Sequence, residues 1–157
     1  MNDSNLLLRA AGLGAVAGLR SMAAPAAVSR AAQRGDVDGL QDTPLALLGS
    51  RRVSTLLTLF EVGELFGDKL PMTPSRTSPP PLLGRAVSGA LVGAALFISG
   101  GRRPTTGGVL GAASAVAAAY AGEHLRVLGA QMLGVPDLPV ALVEDAIALF
   151  GTYQLLR

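Results

Sequence analysis

The sequence predicts an all-α, polytopic helical membrane protein, and three observations carry that reading. Half of the residues are apolar and only 15% are charged, against about 25% in an ordinary globular domain. Two stretches, Ala86 to Gly101 and Pro104 to Gly122, contain no Asp, Glu, Lys, Arg or His, and each approaches the ~20 residues that cross a bilayer. The apolar surplus is carried by 26 Ala and 20 Gly while aromatics make up 4%, a composition that favours close helix contact over bulky cores.

About five membrane segments follow, with four to six compatible with the pattern. The first, Leu6 to Ala32, is broken by Arg9, Arg20, Pro25 and Arg30. At 1.5 Å per residue it outruns a ~30 Å hydrocarbon core, so a broken or re-entrant segment is expected, with the break at Arg20 and Pro25. The second, Val53 to Leu70, carries Glu61, Glu64 and Asp68. The two uncharged stretches are the third and fourth, and Leu138 to Leu156, with Glu144 and Asp145, is the fifth. A soluble bundle would need charged outer faces at helical period, which the two uncharged stretches lack. Arg9 followed by Ala10 to Leu19 imitates a signal peptide, but Arg20 stands where a small-residue cleavage site belongs, so the segment is read as part of the mature protein.

Residues 1–157 form a single membrane domain. Five of the ten prolines lie in the run Pro71 to Pro81, read as a non-helical linker between two halves, 6–70 and 82–156. The halves echo each other. Leu6-Leu7-Leu8-Arg9-Ala10 matches Leu82-Leu83-Gly84-Arg85-Ala86, and Glu61 ahead of Leu65-Phe66-Gly67 matches Asp145 ahead of Leu149-Phe150-Gly151. If each half crosses an odd number of times the repeat is inverted, a recurrent transporter plan. The bases around Arg30, Arg34, Arg51 and Arg52, set against Lys69, Arg76 and Arg85, leave orientation open. Small-residue stripes at Ala10/Gly14/Gly18, Gly89/Gly93 and Gly107/Gly111/Ala115/Ala119 predict tight helix contact, either internal or in a homo-oligomer.

Composition also excludes. No Cys and one histidine, His124, leave no thiolate chemistry and no multi-histidine metal cage. The 13 basic residues are scattered, and the net charge is +2, so no nucleic-acid surface is expected. His124, beside Glu123 and Arg126, reads as interfacial. No enzymatic motif emerges, and the expectation is a non-enzyme.

The chemistry lies in the acids. A carboxylate costs about 2.5–3.5 kcal/mol at mid-membrane, so acids there face a protein interior, a cavity or a basic partner. Glu61, Glu64 and Asp68 share one helix face, Glu144 and Asp145 add two more, and Glu61 and Asp145 are the deepest. Such oxygen ligands suit protons, Na⁺, Mg²⁺, Ca²⁺ or Mn²⁺, with Glu61 and Asp145 as the candidate metal ligands. Arg20 is the expected counter-charge, Lys69 pairs with Asp68 at the interface, and Arg85 is a further basic partner. In the structural alternative, the same acids pair with Arg20, Arg9 or Arg85 and only fix helix register.

Several motifs carry a family resemblance: Gly18-Leu19-Arg20-Ser21-Met22-Ala23-Ala24-Pro25-Ala26, Glu61 and Glu64 ahead of Gly67-Asp68-Lys69-Leu70-Pro71, the stretch from Gly84-Arg85 to Ala94, and the stretch from Pro136-Asp137 through Glu144-Asp145 to Ala148. Over nearly its whole length the chain resembles an uncharacterised bacterial membrane-protein family known as domain of unknown function 4126. That resemblance implies membrane location. A second likeness is mechanistic, to calcium/manganese–proton exchangers that carry Glu-x-Gly-Asp-Lys in each of two inverted repeats. Here Glu64 to Lys69 is one residue longer, and Glu144-Asp145 lacks the Gly-Asp-Lys that would follow.

The expected function is a multi-pass protein of the bacterial inner membrane that conducts or exchanges a cation or proton through Glu61, Glu64, Asp68, Glu144, Asp145 and Arg20. The alternative is a non-catalytic scaffold or accessory subunit that meets membrane partners through its small-residue stripes. The lipid bilayer and a second copy or another membrane protein are the expected partners.

Overall fold

The computed structural model describes residues 2–67, 75, 77–133 and 137–156. Among these every regular element is helical: α1 (Asp3–Leu19), α2 (Ala23–Arg34), a 3₁₀ turn (Pro44–Gly49), α3 (Arg51–Gly67), α4 (Pro79–Ser99), α5 (Pro104–Leu133) and α6 (Asp137–Leu155).

The expected break in the first segment falls at Arg20, whose backbone is extended at φ −137°, ψ 109°. Pro25 explains why the chain cannot run on. In a continuous helix it would clash with the carbonyl one turn back, whereas in the first turn of α2 its missing N–H costs nothing. Gly35 ends α2 in the left-handed region at φ 82°, its N–H on Ala31 and Ala32, a conformation that glycine adopts without penalty. The same freedom serves Gly101, at φ 66°, in the turn into Arg102-Arg103-Pro104.

Two boundaries differ from the sequence reading. Pro79, Pro80 and Pro81 belong to α4, not to a linker, because the first turn of a helix has no intrahelical N–H bonds for proline to remove. The fourth segment does not stop at Gly122; α5 continues to Leu133 through Glu123, His124 and Arg126. Of the residues read as loop bases, Arg30 and Arg34 lie in α2, Arg51 and Arg52 in α3 and Arg85 in α4.

Close backbone approach at glycine sets the centre of the fold. A Cβ on Gly93 would strike the Gly107 carbonyl, one on Gly111 the Gly89 carbonyl, one on Gly14 the Gly111 backbone, and one on Gly18 the Ala115 carbonyl. The three small-residue stripes therefore meet one another and join α1, α4 and α5 into one seam, the internal-packing arm of the two weighed from sequence. Leu13, Val92, Ala95 and Leu96 fill the space beside it.

These contacts fix directions. Leu6 lies against Gly100 and Arg85 against Gly18 and Leu19, so α1 and α4 are antiparallel, while α5 runs parallel to α1. Asp38 N donates to Ser99 Oγ, and Gly39 lies beside Ile98. The chain thus leaves α2 at the same end of the bundle where α1 began. α1 and α2 form a helical hairpin whose tip, Arg20 to Met22, stands beside the middle of α5 and α6.

Beside the apolar core, several charged side chains are buried while large apolar ones are exposed. Arg20 is 1% exposed, Arg85 4%, and Glu61 and Asp145 6% each, while Phe66 is 73%, Phe60 62% and Phe150 62% exposed. Among the described residues α4 is the one helix both long and apolar enough to cross a membrane.

Candidate functional site

The hairpin tip gathers the charges. A helix break leaves carbonyls at the end of α1 and amides at the start of α2 without intrahelical partners, and side chains from two other helices take them up. Arg85, from α4, donates through Nη1 to the carbonyls of Gly18 at 2.7 Å and Leu19 at 2.8 Å. Glu64, from α3, accepts from Ser21 N and Ser21 Oγ at 2.8 Å each and from Met22 N at 2.9 Å. Each charge sits where the helix macrodipole favours it, the cation at a C-terminus and the anion at an N-terminus. Arg85 Nη2 also lies 3.7 Å from Glu64 Oε1, so the two capping groups form a pair.

Arg20 itself turns away from the helix axis to α6. Its Nε donates to Asp145 Oδ1 at 2.6 Å, and its Nη2 bonds the same oxygen. Both side chains are almost fully enclosed, at 1% and 8% exposure. In so dry a setting neither charge is tolerable without the other. Glu144, half-buried, lies on the other side of α6, where a Cβ on Gly122 of α5 would come within 3.2 Å of its Oε1.

One level away from the tip, Glu61 faces Arg30. Arg30 Nη1 donates to Glu61 Oε2 at 3.1 Å and to Thr58 Oγ1 at 2.9 Å. The pair lines an open-sided cavity of about 500 Å³ between α1, α2, α3 and α6, which also exposes Arg9, Arg34, Asp36 and Tyr153. Arg9 Nε donates to the Leu155 carbonyl at the end of α6.

Arg20, Glu64, Arg85 and Asp145 are thus brought to one tip. Glu61 stands apart in the cavity, which Asp145 does not line. Each of Glu61, Glu64 and Asp145 has a guanidinium partner, and among the described residues no three His, Asp or Glu side chains are grouped to hold a metal ion. Asp68 and Lys69 lie outside the described residues. His124 is exposed, its Nδ1 donating to the Tyr120 carbonyl at 2.8 Å. Arg30, read from sequence only as a segment break and a loop base, and the Ser21 and Met22 amides were not among the candidate site residues. The signal for Arg30 was its place in the helix after the Arg20 break, which a folded-back α2 carries to Glu61.

The family model described as "Domain of unknown function (DUF4126)" matches residues 7–156. No curated protein and no solved structure matches the chain.

Proposed function

The chain belongs to the DUF4126 family, and we propose that it is a multi-pass protein of the bacterial inner membrane that moves protons, or an ion coupled to them, through the acid–arginine pairs of the α1–α2 hairpin. The observation that carries the reading is the broken helix itself. Two half-helix ends meet beside the middle of α5 and α6, one held by a cation from the second half of the chain and the other by an anion from the first. Interrupted helices whose half-helix ends meet charged groups are a recurrent way for transporters to build a site within the bilayer, and here Glu64 and Arg85 stand at those ends. The apolar outer faces support the membrane placement, because Phe60, Phe66 and Phe150 would otherwise stand in water.

The halves 6–70 and 82–156 support an inverted repeat. α1 is antiparallel to α4, and Arg9 and Arg85 stand at the same place in those helices, six residues after Asp3 and Pro79 respectively. α3 descends from Glu61 to the tip while α6 climbs away from it, so Glu61 and Asp145 sit on helices of opposite direction.

Of the cation and proton forms of the idea, the pairing favours the proton. A metal ion would have to displace a guanidinium from each acid, whereas protonating Glu61 or Asp145 is enough to release Arg30 or Arg20. The cavity beside Glu61 supplies access for water from one end of the bundle. The test is proton flux into sealed vesicles that contain the purified protein, with Glu61→Gln and Asp145→Asn. Flux above that of empty vesicles, reduced by each substitution, is expected. Flux equal to that of empty vesicles, with Na⁺, Mg²⁺, Ca²⁺ and Mn²⁺ also supplied, refutes transport.

The scaffold reading draws on the Arg20–Asp145 pair, which is dry and matched in charge as a structural lock would be. It predicts no flux and a stable complex with another membrane protein, recovered by crosslinking in intact membranes.

A further inference from the structure

The turn between α4 and α5 combines two features that no step of the proposed transport uses. Arg102 and Arg103 stand at its surface, and with Asp3, Leu6, Phe97 and Thr106 they line a cavity of about 330 Å³. Leu7 and Thr106 are shared with a second, almost wholly apolar groove of about 560 Å³ that runs along α1 and α5 past Val109, Leu110 and Ala113. The groove runs from Leu7 and Thr105 to Ala113, just past the level of the Gly14–Gly111 contact. A charged recess opening into an apolar channel has the division of a lipid, with a head group and a chain.

The charges choose the head group. Arg102 Nη2 pairs with Asp3 at 2.5 Å, so two cations face one anion among the lining residues, and Thr106 adds a hydroxyl. Height agrees as well. The turn directly follows Ser99, the last residue of the one helix apolar and long enough to span a bilayer, which puts both guanidinium groups at head-group level in the membrane placement proposed above. We propose that this recess and groove hold one anionic phospholipid, its phosphate against Arg102 and Arg103 and an acyl chain along Leu7, Val109 and Ala113. The site rests on that membrane placement but not on transport.

The experiment is native mass spectrometry of the full chain in detergent, titrated with phosphatidylglycerol and with phosphatidylcholine of the same chains. With Asp3 offsetting one of the two arginines, the remaining net charge predicts a preference of roughly fivefold for phosphatidylglycerol. Arg102→Gln/Arg103→Gln brings that preference below about twofold, and Ala113→Phe, which fills the groove from an exposed position, weakens both lipids together. Val109→Gln repeats the groove test should Ala113→Phe lower the helix content. Equal affinity for the two lipids overturns the site, as does an unchanged preference in the double variant. Full competition by millimolar inorganic phosphate overturns the lipid in favour of a free anion. A chain that stays soluble after alkaline washing of membranes overturns the membrane placement together with the site, whereas a membrane-held chain without head-group preference overturns the site alone.

Discussion

Arg20 and Asp145 are the pair on which the hairpin's position depends, and substituting them singly and together measures that dependence. Arg20→Met keeps an unbranched side chain of similar reach but removes the guanidinium that bonds the Asp145 carboxylate, 8% exposed. Removing one partner of a buried pair costs about 3–5 kcal/mol. Asp145→Leu strands Arg20, 1% exposed, at a similar cost. The double variant removes both charges and replaces them with apolar groups, so it should return to within about 1–2 kcal/mol of the parent, as apolar replacements of buried pairs do. A chain of this size shifts its midpoint by about 2–4 °C per kcal/mol, which places each single variant roughly 6–20 °C below the parent and the double variant close to it. The assay is thermal loss of helix content in detergent, read by circular dichroism. Single variants within about 1 kcal/mol of the parent would refute the claim that the pair is dry. A double variant that loses the sum of the single losses would refute the coupling.

Two other predictions concern packing and capping. Gly93→Ala forces a methyl group into the Gly107 backbone and should cost at least about 1–3 kcal/mol, while Gly63→Ala and Gly84→Ala, in helices with nothing within 4 Å of the new Cβ, should stabilise by roughly 0.5–1 kcal/mol; the same melting curves rank them. Glu64→Ala removes the acceptor of Ser21 N and Met22 N and should cost about 1–3 kcal/mol. Hydrogen exchange should quicken in the first turn of α2, and protection equal to the parent's there would refute the capping role.

Local signals in the sequence located the elements and the break. Arg20 and Pro25, in a segment too long for one crossing, marked where the helix ends, and the period of four in the glycines marked which faces touch. The misreadings have physical causes. Pro79 to Pro81 resembled a linker because proline opposes helix everywhere except in the first turn, and a helix start is visible only once its Ser78 boundary is known. α5 outran Gly122 because the absence of charge marks apolar depth, not helix length, and Glu123, His124 and Arg126 are compatible with helix outside it. The partners of the charges were the least legible. Arg20 and Asp145 are 125 positions apart, and Arg85 reaches carbonyls 66 and 67 positions away. Such pairings follow from how the helices assemble, which no local pattern encodes. Sequence named Arg20, Glu64 and Asp145 among six candidate site residues and Arg85 as a further basic partner, but not that Glu64 and Arg85 would serve as helix caps.

The glycine seam divides the molecule mechanically. Where backbones touch, there are no rotamers to change, so α1, α4 and α5 can slide past one another only by losing contact along their length. α2 shares the apolar core of that block through Ala23, Ala24, Val28 and Ala31, whereas α3 is tied to the hairpin by polar contacts, Glu64 to Ser21 and Met22 and Arg30 to Glu61. The apolar core thus extends from the seam into α2, and the outermost of these helices, α3, is the one whose described contacts with the hairpin are chiefly polar.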